Sequence, residues 1–199
     1  MYKLGITGGI GSGKTSASEF LLKNFKSVYV FNADKESKKH LKNSLSIQHR
    51  LINTFGLDIT VNNKLNIQKL AEVAFSNKIN QEILNGLMWS EVFILINNKI
   101  EECKNRNISL FIVDAAMIFE AKLEHMFDST LLITADKEVR LKRAIKRHNI
   151  SLEQIKSRMS LQLSEAKKKK LADYTINNNS ILEKLQNNLK KFYNELEIP

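Results

Sequence analysis

Eight consecutive residues, Gly8-Gly9-Ile10-Gly11-Ser12-Gly13-Lys14-Thr15, satisfy the pattern G-x-x-x-x-G-K-[ST] at every position. Glycines let a backbone turn its N–H groups inward around phosphate oxygens, and a helix starting at the loop adds the positive end of its dipole. Lys14 is placed to reach the β- and γ-phosphates of a nucleotide, and the Thr15 hydroxyl to enter the shell of a Mg2+ ion. Gly11, Ser12, Gly13, Lys14, Thr15 and Ser16 are therefore the residues expected to hold ATP. A second metal-side group is expected at Asp114, which ends the apolar run Leu110-Phe111-Ile112-Val113. Open α/β sheets bind ligands at the carboxyl ends of their strands, where such an acid would stand. A helix cap or a surface acid is the alternative for Asp114.

Phosphoryl transfer also needs a group for the acceptor's proton and positive charge for the moving phosphoryl. Asp34, just after the run Val28–Phe31, suits a general base. Its position alone suits equally the N-cap of a helix starting near Lys35. Arg143 and Arg147 are four residues apart, so a helix would put both on one face, pointing at phosphates. They sit in a segment, 137–170, that holds twelve Lys/Arg against three Glu, or +9 of the chain's net +10. Such concentration implies a polyanion-facing surface or a solvated helix face. A basic lid that closes over the transferred group accounts for it. Nucleic-acid binding calls for interleaved aromatics, and 137–170 contains no Phe, Tyr or Trp.

The elements that position these groups follow from hydrophobic spacing. Tyr2–Thr7 reads as a buried strand leading into the loop, and Ser16 to about Asn24 as a helix with Ala17, Phe20 and Leu21 inward. Val28–Phe31, Leu110–Asp114, Thr130–Thr134 and Tyr174–Ile176 read as further strands. Between Lys35 and Cys103 the pattern is helical over Ile47–Phe55, Ile67–Phe75 and Gln81–Glu102, with Asp58–Val61 extended. Asp136–His148 reads as a helix, and another is expected from Ser151, which forms a capping-box pair with Gln154. Ser180 and Glu183 repeat that signal before a helix whose inward stripe is Ile181, Leu185, Leu189, Phe192 and Leu196. Strands alternating with helices at both ends predict an α/β protein with a parallel sheet, interrupted by a helical insertion.

Composition excludes several classes. At 199 residues, 43% hydrophobic and 26% charged, the chain has the usage of a folded soluble domain. Its apolar runs, among them Val92–Ile96 and Leu110–Val113, are too short to span a membrane, and the start lacks a signal-peptide pattern. One cysteine, Cys103, allows no internal disulfide, so a cytoplasmic location is expected. No N-K-x-D occurs, against a guanine-specific switch, and the length is short for a motor or transporter ATPase. Two readings remain: a small-molecule kinase, acting on a nucleotide, a sugar or a related acceptor, and a nucleotide-dependent nucleic-acid binder. His40, His49, His125 and His148 show no metal-ligand spacing, Cys103 no motif, and Trp89 the setting of a core residue, with lining of the acceptor cleft as its alternative.

The pieces together resemble the dephospho-CoA kinase family along nearly the whole chain. The resemblance rests on Ile6–Thr15, Asn32-Ala33-Asp34, Val113-Asp114 with Phe119-Glu120, Leu141-Lys142-Arg143 with Arg147, Arg158-Met159 with Gln162, and Ala172–Asn178. It implies a P-loop NTPase fold, nucleoside-monophosphate-kinase-like, with a core domain of residues 1–34 and 104–199, a lid near 140–165, and a helical CoA domain of residues 35–103. It implies transfer of the ATP γ-phosphoryl to the ribose 3′-hydroxyl of dephospho-CoA with Mg2+. It assigns Asp34 as the base, Arg143 and Arg147 to the transferred group, and Asn178 to the neighbourhood of the adenine. Glu120 matches a family position, as a core salt bridge or a substrate contact; Lys167–Lys170 is expected to be a solvated face, with contact to phosphate the alternative for Lys168, which matches a basic family position. The expected partners are ATP and dephospho-CoA, with no nucleic acid or membrane and no second subunit. The sequence departs from the family pattern at Asn32, an acid elsewhere, at Asn85-Gly86, His-Pro elsewhere, at Ala116, a proline elsewhere, and at Arg140, commonly a glutamine.

Overall fold

The structure, a computed structural model, describes residues 1–147 and 151–198, with the Arg147 side chain outside the description. It opens with β1 (Tyr2–Thr7), α1 (Lys14–Asn24), β2 (Val28–Asn32) and α2 (Ala33–Asn43). There follow α3 (Leu45–Phe55), β3 (Thr60–Val61), β4 (Lys64–Leu65), α4 (Ile67–Ala74) and the long α5 (Lys78–Lys104). The chain then runs through β5 (Leu110–Asp114), β6 (Ser129–Thr134), α6 (Lys137–Arg147), α7 (Leu152–Ser160), α8 (Glu165–Leu171), β7 (Tyr174–Asn177) and α9 (Leu182–Glu195). By contacts it divides into two units, Met1–Ala33 with Ile96–Pro199, and Asp34–Leu95.

The first unit is built on a five-stranded sheet, all parallel, in the order β2-β5-β1-β6-β7. β5 is buried at every residue and β1 over its last four, as strands covered on both faces must be. Leu4, Ile6, Leu110, Ile112, Leu131 and Ile133 pack with Leu21 of α1 and Leu185 and Leu189 of α9. Burying each such side chain contributes about 1.5–3 kcal/mol relative to leaving it in water. The order matters for function: the chain skips from β1 to β2, and β5 later fills the gap. The order in which strands are added therefore reverses around β1, which leaves a crevice at its carboxyl end. In that row Ile6 and Asn32 both stand opposite Asp114.

The second unit packs Leu41, Ile47, Leu51, Ile59, Leu70 and Ala74 into its own core. Ser44 caps α3, its side chain accepting from the Ile47 N–H, and Asn66 caps α4 at the Lys69 N–H. Glu91 on α5 binds His40 on α2 and Arg50 on α3, each at 2.9 Å, tying three helices. Trp89, the one tryptophan, lies on α5 in this unit and is half-buried.

Several local expectations change. The extended stretch 58–61 begins instead as a 3-10 turn, Leu57–Ile59, before β3 pairs antiparallel with β4. The turn between them is Asn62-Asn63, both at positive φ (51° and 59°), the requirement of a type I′ hairpin, which asparagine tolerates best after glycine. The capping box at Ser151 and Gln154 is present, whereas the one at Ser180 and Glu183 is not. There Ile181 is the N-cap, extended at φ −69° and ψ 160°, and no side chain caps the helix. Ile181 consequently falls out of helical phase and is 69% exposed, while Leu185, Leu189, Phe192 and Leu196 are buried as the stripe requires. The helix expected over 136–148 is α6; its last expected residue, His148, lies outside the described residues.

Candidate active site

The loop between β1 and α1 is shaped by backbone that only glycine accommodates well. Gly11 has φ +77°, and a Cβ there would lie 2.1 Å from the Arg140 carbonyl oxygen. Gly13 has φ +103°, and its Cβ would lie 2.3 Å from Asn178 Nδ2. Gly13 is also the N-cap of α1, which starts at Lys14 rather than Ser16, with no capping side chain. Helix geometry gives the first-turn N–H groups no carbonyl partner within the helix, so this end presents donors and a positive dipole to an anion. Lys14, Thr15 and Ser16 form that first turn.

Two contacts tie the loop to distant parts of the sequence. Asn178 Nδ2 donates to the Ser12 carbonyl at 2.8 Å, and the Asn178 N–H to the Thr134 carbonyl at 2.7 Å, bolting the end of β7 to loop and sheet. On the other side Asp114, 3% exposed, accepts from Ser18 Oγ at 3.2 Å. The same hydroxyl lies 3.1 Å from the Thr15 carbonyl, so one side chain on α1 links the residue carrying the expected metal hydroxyl to the expected metal carboxylate. Asn32 Nδ2 donates to the same Asp114 oxygen at 3.2 Å. Thr15 and Asp114 offer hard oxygen donors, the kind Mg2+ takes alongside phosphate and water. Among the described residues no cluster of three or more His, Cys, Asp or Glu could hold a metal by itself.

A cleft of about 400 Å³ opens over the loop, lined by Gly11, Gly13, Ser16, Arg143, Lys146, Asn178 and Leu182 among others. Five of the residues read from the sequence as nucleotide-binding or catalytic thus share one wall. Arg143 is committed there: Nη1 donates to the Asn178 carbonyl at 2.8 Å and Nη2 to the Ser180 carbonyl at 3.3 Å. It therefore also holds the segment after β7 against the cleft. Asp34 is exposed in the first turn of α2, one residue inside the helix rather than at its cap, and belongs to the second unit. Arg147 closes α6, and its side chain lies outside the described residues.

Sequence reasoning missed a second layer under the loop. Arg140, 8% exposed, pairs with Glu165 at 3.2 Å, and Thr134 Oγ1 donates to the other Glu165 oxygen at 2.5 Å. Gln162 Oε1 accepts the Ile10 N–H at 3.2 Å. Ser18 was legible only as the residue one helical turn beyond Thr15. Lys168 corrects the expectation of a solvated lysine run: it is fully buried, with Nζ 3.0 Å from Glu120 Oε1 and 2.9 Å from the Ala116 carbonyl. Glu120 also accepts the Leu163 N–H at 2.9 Å, so of its two readings the structure has the core salt bridge. Cys103 is fully buried, and burial pushes its thiol pKa up, away from the reactive thiolate.

The chain as a whole is similar to known proteins. The family model described as dephospho-CoA kinase matches residues 2–184. A dephospho-CoA kinase of Fusobacterium nucleatum is 36% identical over 191 residues, covering 95% of each chain. Among solved structures, a protein of Thermus thermophilus superposes with a TM-score of 0.79 at 28% identity, covering 98% of this chain and 97% of the other. The dephospho-CoA kinase from Campylobacter jejuni gives 0.66 at 26% identity, covering 97% and 96%. The P-loop fold, the loop itself and matches of this breadth agree: the chain belongs to the dephospho-CoA kinase family.

Proposed function

We propose that this chain transfers the γ-phosphoryl group of ATP to the ribose 3′-hydroxyl of dephospho-CoA, giving coenzyme A and ADP in the last step of CoA biosynthesis. The supporting observation is the family match over residues 2–184, in a chain whose phosphate loop is tied to Asp114 through Ser18 and to Asn178 at Ser12. In this reading the loop N–H groups and Lys14 bind the β- and γ-phosphates, and Asn178 meets the adenine side of the nucleotide. Asp34 accepts the proton of the 3′-hydroxyl as its oxygen attacks the γ-phosphorus in line; the bond to the β-phosphate oxygen breaks, and ADP leaves with that electron pair. Arg143 and Arg147 set positive charge beside the transferred group, and the 140–165 segment acts as the lid that excludes water. Thr15 and Asp114 would hold Mg2+, which when bound draws charge from the phosphates. The unit Asp34–Leu95 would receive the CoA portion of the acceptor. Among the described residues no helix is long and apolar enough to cross a membrane, and we assign the enzyme to the cytoplasm.

The test is ADP release with Mg-ATP against a panel of acceptors: dephospho-CoA, adenosine, AMP and a sugar. Release with dephospho-CoA alone, with CoA formed, is the expected result. Release with another acceptor and not this one would keep a P-loop kinase and overturn the substrate; Asn85-Gly86 would then mark the altered specificity.

A further inference from the structure

The bond from Asn32 to Asp114 gives the metal side of the site a property of its own. The two residues stand directly opposite on neighbouring parallel strands, so their side chains leave the sheet on the same face. Asn32 Nδ2 lies 3.2 Å from Asp114 Oδ2 and carries no ionisable group. Ser18, which donates to the same oxygen, has a single proton to divide between Asp114 and the Thr15 carbonyl. The Asn32 amide keeps its protons whichever way that hydroxyl turns. Asp114 is almost wholly buried, where a carboxylate is costly unless donors face it.

We propose that Asn32 is a positioning residue for the divalent-cation site. Its amide fixes the Asp114 carboxylate by a neutral hydrogen bond, so the site keeps its shape before the cation arrives and presents one carboxylate rather than two. The proposal rests on the reading of Asp114 as the Mg2+ carboxylate. An acid at position 32 would replace a donor by a like charge about 3 Å from Asp114. It would destabilise the empty protein and tighten the hold on a divalent cation, because ligand charge count tunes such affinities over decades.

The experiment is thermal unfolding of the full chain without nucleotide, in EDTA and across a MgCl2 titration, for the native chain, Asn32→Asp, Asp114→Asn, and the exchange Asn32→Asp/Asp114→Asn. In EDTA, Asn32→Asp should lower Tm by at least about 3 °C, and Mg2+ should restore it with an apparent affinity roughly tenfold or more above the native chain's. The exchange puts one donor opposite one acceptor again, so in EDTA its Tm should return to near the native value. If Asn32→Asp does not fold, the exchanged pair still decides, since it folds only if the two side chains face each other as described. An unchanged Tm for Asn32→Asp in EDTA, or an exchange no better than the sum of its parts, overturns the proposal. The metal reading fails separately: Asp114→Asn with native kcat and native KM for Mg-ATP would remove Asp114 from the metal, while the EDTA comparison would still report the hydrogen bond.

Discussion

Asp114 and Glu120 lie six residues apart, one at the end of β5 and the other in the loop after it, and both carboxylates are withdrawn from water. Their surroundings differ. Asp114 accepts from an amide and a hydroxyl, whereas Glu120 is joined to the fully buried ammonium of Lys168, which also grips the Ala116 carbonyl. Neutral donors orient a carboxylate without themselves cancelling its charge. A resident ammonium neutralises the charge for good and turns the acid into a rivet between the β5 loop and α8. One stretch of chain therefore carries an acid suited to chemistry and an acid suited to holding the chemistry's surroundings in place.

The largest effect should come from the rivet. Lys168→Met leaves Glu120 buried without its cation and should cost about 3–5 kcal/mol, a Tm drop of roughly 10 °C, with Glu120→Gln added to it recovering part of the loss. Denaturant unfolding measures this; an unchanged midpoint would erase the distinction drawn between the two acids. Asp114→Asn should do the reverse, lowering kcat by at least ~10² while Tm moves only slightly, because the amide can still pair with its neighbours. A loss of stability as large as that of Lys168→Met would make Asp114 a second rivet. Asp34→Ala, at an exposed acid of the second unit, should lower kcat by at least ~10² with ATP affinity kept and stability untouched. Native kcat in that variant would remove Asp34 from the mechanism.

The smallest effect belongs to a carboxylate in water. Glu102 on α5 pairs with Lys99 and Arg106 and is 39% exposed. The hydrogen bond from Lys99 holds its pKa below the ordinary value, and Arg106 adds to this. A pKa lowered by folding means stability that is present above the unfolded value and lost as pH falls through the folded one. The Tm difference between the native chain and Glu102→Gln should therefore be about 2 °C or less at neutral pH, shrink once pH falls below the ordinary glutamate range, and vanish below the lowered folded pKa. A difference that grows in acid would reverse the sign assigned to the pair.

The sheet and the phosphate loop were legible because their causes are local. β1 and β5 are continuous apolar runs, and the glycines at 11 and 13 are demanded by positive φ and by atoms about 2 Å from where a side chain would start. The resemblance added Asn178, whose contact with Ser12 spans 166 residues of sequence and leaves no local pattern. What could not be read was which of several equivalent residues meets a partner. Lys167, Lys168, Lys169 and Lys170 are alike as letters, yet only the phase of α8 against Ala116 and Glu120 decides that Lys168 turns inward. Arg140 looked like one more member of a basic face until Glu165 and Thr134 closed around it. At Ser180 a genuine capping signal lost to geometry: its carbonyl accepts from Arg143, and the helix begins one residue later.

The distribution of aromatic side chains turns the two units into separate optical reporters. Trp89 lies in the unit Asp34–Leu95, while Tyr2, Tyr29, Tyr174 and Tyr193 all fall in the other. Red-edge excitation of the indole therefore follows one unit, and near-ultraviolet tyrosine dichroism follows the other, with no label attached. Coincident curves would describe a molecule that melts as one cooperative body; separated curves would resolve the loss of the helical unit from that of the sheet.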